Sequence, residues 1–184
     1  METLDIIRSL RAVRRYAPRP IEAEAMERIV EAARWTGSAK NRQPWSLVIV
    51  ERPETLAELA TCGTYAGHLA GAAAAIVLVM DPAELAAQYD AGRLSQNIML
   101  AAWAQGIGSC IAFLFPEDQH QRARDLLGVP ANRESWMVLA LGYPADAAAT
   151  RLATAPEVVR AEVRPGRIVP ERFVHHETYD PQSD

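Results

Sequence analysis

The chain has 184 residues, enough for one domain with a hydrophobic core and too few for two domains of ordinary size. Hydrophobic residues make up 49% and charged residues 23%, as in folded globular proteins, so extensive disorder is excluded for most of the chain. Its 19 basic and 23 acidic side chains give a net charge of −4, which provides no general attraction for nucleic acid or for anionic membranes.

Apolar spacing predicts the first half of the chain as helices and two strands. Leu4, Ile7 and Leu10 predict a short opening helix, and the stripe over residues 22–35 predicts an amphipathic helix. A polar loop over 35–44 leads into a strand over 45–50. Helices over 53–59 and 65–69 are predicted before a strand over 75–80, whose continuous apolar run indicates burial on both faces.

The second half is predicted to hold one long helix, two strands and a further helix. The long helix begins near Pro82 or Asp90 and ends near Gln105, where Gly106 is suited to terminate it. A strand over 107–113, a helix over 116–127 and a last strand over 136–141 follow. These elements predict a single α+β domain over residues 1–184, a mixed sheet flanked by helices.

Residues 145–184 have a different character. They hold short apolar stretches, four prolines and five arginines, too little apolar surface for a core of their own. Two interpretations remain open at this point: a mobile tail, or an arm that packs on another subunit.

The N-terminus and the cysteines favour a cytoplasmic protein. Residues 1–5 lack the basic and apolar segments of a signal peptide, and the longest apolar stretch, 71–80, is too short to span a bilayer. Cys62 and Cys110 form neither a disulfide framework nor a metal-ligand spacing.

Several common kinds of active site are absent from the sequence. Gly106 and Gly108 follow a predicted helix, whereas a phosphate-binding glycine loop precedes one. The four histidines lack metal-ligand spacing, and there is no Gly-x-Ser-x-Gly turn. We therefore expect no metal site, assign no catalytic side chain, and expect any chemistry to come from a bound organic cofactor.

Two polar segments are candidates for holding such a cofactor. Arg11 and Arg14 would share one face at a helix end, and guanidinium groups suit phosphate, although a solvated basic turn is the alternative. Lys40 is the only lysine among the basic residues, so arginine clusters carry less weight in this chain. The loop 37–45 offers hydroxyl, amide and backbone groups, although it is also compatible with an ordinary connection between helix and strand.

Taken in order, these segments resemble the motifs of the nitroreductase family of flavoproteins. Residues 11–21 resemble its arginine-rich N-terminal motif, and residues 38–45 resemble its Pro-Ser-x-x-Asn-x-Gln-Pro-Trp motif. Residues 90–109 resemble its central helix and the following strand, and residues 141–144 its last strand and turn. Arg167 followed by Pro170 resembles the basic site before its C-terminal segment.

The resemblance implies a homodimer with FMN bound at the subunit interface. The arginines near residue 11 would hold the flavin phosphate and ribityl chain, or approach the pyrimidine edge of the ring. The loop near residue 38 would come from the neighbouring subunit, the stretch 111–113 would lie against the isoalloxazine, and the C-terminal arm would wrap the partner. The implied cofactor-binding residues are Arg11, Ala12, Arg14, Arg15, Gly37, Ser38, Asn41, Gln43, Ile111, Ala112, Phe113 and Arg167.

The activity implied by the resemblance is ping-pong reduction. A donor, NADH or NADPH, would reduce the flavin, which would then reduce an electron-poor acceptor such as a nitroaromatic or a quinone. The chain departs from the family at Leu10, where many members have arginine, at Ala12, where they have serine, and at Gly37, where they have proline. The alternatives are a flavoenzyme of the same fold with another reaction (dehalogenation, dehydrogenation or flavin consumption) and a non-catalytic FMN-binding protein.

Overall fold

The computed structural model describes residues 3–82, 86–146, 148–150, 168, 170 and 173–178. The α-helices in this part are α1 (Thr3–Ser9), α2 (Ala23–Arg34), α3 (Pro53–Leu59), α4 (Ala87–Trp103) and α5 (Glu117–Leu127). The strands are β1 (Trp45–Val50), β2 (Ala74–Met80), β3 (Gly108–Phe113) and β4 (Glu134–Gly142). Two 3₁₀ turns span Ala39–Asn41 and Gly67–Gly71. None of the helices in these ranges has the length and hydropathy needed to cross a membrane.

The four strands form one sheet in the order β1-β2-β4-β3, and all neighbouring strands pair antiparallel. Strand β2 is central, and all seven of its residues are buried, as its continuous apolar run predicts. A parallel bridge between Ala12 and Ser109 adds the N-terminal segment to the sheet beside β3. The predicted α+β class with a mixed, mainly antiparallel sheet is confirmed.

Each face of the sheet carries its own hydrophobic core. Alternate residues of β2 point to opposite faces, so Ile76 and Leu78 lie on one face while Ala75 and Val77 lie on the other. Helices α2 and α4 pack on the first face, as shown by the buried side chains Ile29, Leu94 and Ile98. Helices α3 and α5 pack on the second face through Leu56, Leu59 and Ala123. The sheet is thereby covered by helices on both sides.

Most boundaries agree with the sequence prediction to within two residues, and three differences concern the positions of helices. The long helix begins at Ala87, between the two predicted starts, and the helix predicted over 65–69 is a 3₁₀ turn, Gly67–Gly71. Helix α1 ends at Ser9, so Arg11 and Arg14 do not lie on a helix end as expected. The reason is tertiary: the Val13 N–H donates to the Ser109 carbonyl at 2.9 Å, which draws this segment out along the sheet.

Candidate functional site

Residues 11–16 run along one corner of the sheet, held at two points. Ala12 bridges to Ser109 at the start of the segment, and Tyr16 bridges to Pro144 at its end. The Tyr16 hydroxyl donates to the Val13 carbonyl at 2.6 Å, which stiffens the segment from within. The sheet thus fixes the backbone of this segment. It therefore also fixes the Cα positions of Arg14 and Arg15, which lie between the two bridges.

Paired glycines allow this close approach. Gly108 of β3 lies opposite Gly142 of β4. A Cβ atom on Gly108 would lie 2.6 Å from Val13 Cγ2, and one on Gly142 would lie 2.8 Å from Tyr16 Cδ1. Both distances are much shorter than a van der Waals contact. Only glycine can therefore occupy these two positions while the N-terminal segment lies this close to the sheet.

A cavity of about 300 Å³ lies between this segment, β3 and α4. Its walls are formed by Leu10, Arg11, Ala12, Arg14, Met99, Ser109, Cys110 and Ile111. The Arg11 Nη1 atom donates to the carbonyls of Arg8 and Leu10, at 2.7 and 2.8 Å. Arg11 Nη2 and Ser109 Oγ are both buried, and neither has a hydrogen-bond partner within the described part of the chain. Buried polar groups are normally satisfied, so two such groups in one cavity make it a candidate binding site for a polar ligand.

The open edge of β3 faces the same region. In an antiparallel ladder, alternate residues direct their N–H and C=O groups toward and away from the neighbouring strand. The Ser109 carbonyl accepts from Val13, on the side away from β4. Ile111 and Phe113, two and four residues further along, therefore direct their backbone groups to that open side as well. An edge of this kind can donate N–H groups to a flat, heteroatom-bearing ring.

Burial shifts three titratable groups around the cavity toward their uncharged forms. Burial raises the pKa of the Cys110 thiol, a shift that the nearby Arg14 guanidinium partly opposes. Burial raises the pKa of Tyr16 and lowers the pKa of His68 below its ordinary value. With these groups neutral, the guanidinium groups of Arg11 and Arg14 give the cavity a positive charge.

The loop between α2 and β1 holds an unusual backbone. Lys40, Asn41 and Gln43 all have φ between 50 and 55°, in the left-handed region that side chains rarely adopt. The Ser38 hydroxyl accepts from the Gln43 N–H at 2.8 Å and closes the loop. Strained backbone of this kind is concentrated at functional sites, because only a specific requirement maintains it.

A second concavity, an open groove of about 610 Å³, lies between this loop and the start of α4. It is lined by Trp35, Gly37, Gln88, Tyr89, Gly92, Arg93, Gln96 and Asn97. The rings of Trp35 and Tyr89 are each 73% exposed, while the Arg93 guanidinium pairs with the buried Asp90 carboxylate at 3.3 Å. Two large exposed aromatic rings beside one groove indicate a surface used for contact.

Comparisons with known proteins identify the family. The model of the nitroreductase family matches residues 7–63 and 54–143, which together cover most of the chain. The chain belongs to the nitroreductase family. A relative from Archaeoglobus fulgidus named "Putative NADH dehydrogenase/NAD(P)H nitroreductase" is 37% identical over 151 residues, covering 79% of this chain and 87% of the relative.

Solved structures of nitroreductase-family proteins have a similar fold. A Parabacteroides distasonis protein of the same name as the Archaeoglobus relative has a TM-score of 0.81 and 26% identity, covering 96% of this chain and 98% of its own. An FMN-dependent nitroreductase from Clostridium difficile has a TM-score of 0.73 and 25% identity, covering 78% of this chain and 88% of its own. The chain is therefore an oxidoreductase of the nitroreductase type.

Four of the residues that were predicted to bind the flavin lie together in one cavity. Arg11, Ala12, Arg14 and Ile111 line the cavity. Gly37 lies in the second groove and Ser38, Asn41 and Gln43 in the adjoining loop, while Arg167 lies outside the described residues.

Two predicted residues point elsewhere, and four cavity residues were missed. The Arg15 side chain is exposed and pairs with Asp146 at 3.3 Å, and the Ala112 side chain is buried in the core against α3 and α5. Phe113 is partly exposed at the end of β3. The missed residues are Leu10, Met99, Ser109 and Cys110. For Ser109 a signal existed, since it lies two residues before Ile111 and strand periodicity gives both the same orientation.

Proposed function

We propose that this nitroreductase-family chain binds FMN in the cavity beside Arg11 and uses it for electron transfer from NADH or NADPH. The observation that carries the proposal is the buried Arg11 Nη2, a cationic donor with no partner among the described residues, in a cavity with a second unsatisfied donor. Uncompensated burial of such groups is costly, and an anionic, oxygen-rich ligand removes that cost. The Clostridium difficile protein of similar structure is described as FMN-dependent, which supports the same cofactor for this chain.

The residues present fit the parts of FMN. Arg11 and Arg14 would hold the phosphate and the ribityl chain, since both line the cavity and guanidinium groups pair well with phosphate. The ring would lie against β3, where Ile111 presents its side chain and the backbone groups of Ile111 and Phe113 face the open edge. Ala112 is a weaker candidate, because its side chain lies in the core and the alternation along β3 directs its backbone groups toward β4. Arg15 is a weaker candidate because it already pairs with Asp146.

FMN would supply the redox chemistry, accepting hydride from the nicotinamide donor and passing it to an electron-poor acceptor such as a nitroaromatic or a quinone. The chain contributes fixed positive charge near the cofactor from Arg11 and Arg14. The Cys110 thiol stays protonated because its pKa is raised, so it is a poor nucleophile and does not compete for the acceptor. The neutral Cys110 and Tyr16 leave the positive charge of the arginines uncompensated, which favours an anionic cofactor.

The proposed active form is a homodimer with the loop 37–43 directed toward the cofactor of the neighbouring subunit. Three residues in left-handed conformation and the exposed rings of Trp35 and Tyr89 support a role for this surface in contact. The segment from residue 145 onward would then pack on the partner as an arm, with Arg167 reaching the flavin phosphate. Light scattering on the purified chain tests the dimer, and a monomeric mass over the micromolar range would contradict it.

We also propose a reducing, cytoplasmic environment. The two cysteines, Cys62 and Cys110, are both buried and unpaired. Unpaired cysteines are retained most readily where thiols stay reduced.

Absorption spectroscopy of the purified chain tests the function directly. We expect flavin bands, or their appearance when FMN is added, followed by rapid bleaching with NADH or NADPH under anaerobic conditions and recovery when a nitroaromatic or a quinone is supplied. Failure to gain flavin bands in the presence of FMN would contradict the proposal. Bound flavin that neither donor bleaches would instead favour a non-catalytic flavoprotein or a different reaction on the same fold.

A further inference from the structure

The Ser109 hydroxyl is an unexplained feature of the cavity. Ser109 is only 1% exposed, it lines the cavity, and its Oγ has no hydrogen-bond partner within the described ranges. The same residue pairs through its backbone, where the carbonyl accepts from Val13 at 2.9 Å. The strand therefore explains the position of Ser109 but gives its hydroxyl no role.

The neighbours of this hydroxyl limit what it can bind. Ala12, which lies across the parallel bridge, has no polar side-chain group, and the side chains of Met99 and Ile111 are apolar. The other unsatisfied group in the cavity is Arg11 Nη2, which is a donor and carries positive charge. An unpartnered hydroxyl and an unpartnered guanidinium nitrogen, on two residues that line one cavity, suit an acceptor with several oxygens and a negative charge, and phosphate fits that description.

We propose that Ser109 donates its hydroxyl hydrogen to an oxygen of the FMN phosphate, together with Arg11. This assignment rests on the proposed function, since it requires that FMN occupy the cavity. It also gives the cavity a hydroxyl donor on β3 in place of the one that Ala12 cannot provide on the N-terminal segment. Ser109 is then a cofactor-binding residue that fixes the position of the FMN phosphate.

The test compares flavin affinity with thermal stability for Ser109→Ala. Titration of the flavin-free chain should show FMN affinity reduced about tenfold or more, as expected for one lost hydrogen bond to a charged group. Affinity for riboflavin, which lacks the phosphate, should change less than twofold. The melting temperature of the flavin-free variant should equal or exceed that of the wild type, because the substitution removes a buried hydroxyl that has no partner.

Ser95→Ala is the matched control. Ser95 is also a buried serine, but its hydroxyl donates to the Gly92 carbonyl at 2.9 Å within α4, so its loss should leave both flavin affinities unchanged.

Three outcomes would overturn the assignment. The first is an unchanged FMN affinity in Ser109→Ala, and the second is an equal loss of affinity for FMN and for riboflavin. The third is a lowered melting temperature of the flavin-free variant, which would show that the hydroxyl has a partner within the protein. Absence of FMN binding by the wild type is a separate result, and it would remove the proposed function as well.

Discussion

Val13 packs directly against Gly108: a Cβ atom on Gly108 would lie only 2.6 Å from Val13 Cγ2. The contact joins the N-terminal segment to the first residue of β3. Val13 lies between Arg11 and Arg14 in the chain. Its packing against Gly108 therefore sets the distance of both arginines from β3. The absence of one methyl group thus determines where two candidate phosphate ligands lie.

Gly108→Ala should therefore weaken FMN binding without touching the cofactor. The added methyl group would displace Val13 and the backbone on either side, and overpacking of this kind costs about 1–3 kcal/mol of stability. We expect a lower melting temperature and FMN affinity reduced at least several-fold, measured by quenching of flavin fluorescence. Gly71→Ala is the control, since a Cβ there has nothing within 4 Å, and equal effects of the two substitutions would contradict the explanation.

Arg11→Leu should lower affinity for FMN far more than affinity for riboflavin. The substitution removes a guanidinium whose buried Nη2 has no partner within the described residues, so the loss should fall on the phosphate contact. A charge-assisted hydrogen bond contributes about 1.5–3 kcal/mol, which corresponds to a loss of roughly tenfold to a hundredfold. Arg34→Leu, which removes an exposed arginine paired with Glu31, should leave both affinities unchanged. Equal losses for FMN and riboflavin would place Arg11 away from the phosphate.

The sheet was predictable from sequence because its apolar runs are local and continuous. Strand β1 spans the predicted residues 45–50, and β2 differs from its prediction by one residue. The sequence offered two starts for α4, Pro82 and Asp90, and in the structure the helix begins between them, at Ala87.

The site was predictable only in part, because the contacts that form it are long-range. The arginine motif indicated Arg11 and Arg14, but both line the cavity because the bridge between Ala12 and Ser109 holds their segment beside β3, and not because of helical spacing. Nothing local distinguishes Met99 or Cys110 from ordinary core residues. Their place in the cavity follows from how α4 and β3 pack.

Tyr143→Phe should raise the pKa of Glu22. The Tyr143 hydroxyl donates to the Glu22 carboxylate, and Arg19 donates to the same group at 2.5 Å, which together hold the pKa of Glu22 at about 2. Because the pKa is lowered in the folded chain, this contribution to stability is present above the unfolded pKa and is lost as pH falls. NMR titration of the carboxyl carbon should show the increase.

The pKa of Glu31 provides an internal control for that titration. It is also held at about 2, by hydrogen bonds from Arg34 and then Trp35, and Tyr143 is not among the groups that shift it. An unchanged pKa for Glu22 in Tyr143→Phe would show that Arg19 alone sets it.

His120 joins α5 to β4 through a buried contact. Its ring stacks on Trp136, with centroids 3.7 Å apart, and its Nε2 lies 3.3 Å from Ser135 Oγ. Burial lowers the pKa of His120, and Arg124 contributes in the same direction, while Glu117 of α5 and Glu134 of β4 oppose the shift. The folded chain therefore favours the neutral ring.

Stability should fall as the pH decreases through about 6.5, the ordinary pKa of an unfolded histidine. Below that value the unfolded chain binds a proton that folded His120 resists, with a slope of up to about 1.4 kcal/mol per pH unit for one group. Urea unfolding of His120→Phe between pH 7 and pH 5 should show a shallower decline than the wild type. Ser135→Ala removes the same hydrogen bond but keeps the imidazole, so it should be less stable at every pH while retaining the wild-type slope. Parallel curves for His120→Phe and the wild type would mean that His68, whose pKa burial also lowers, or another group accounts for the pH dependence.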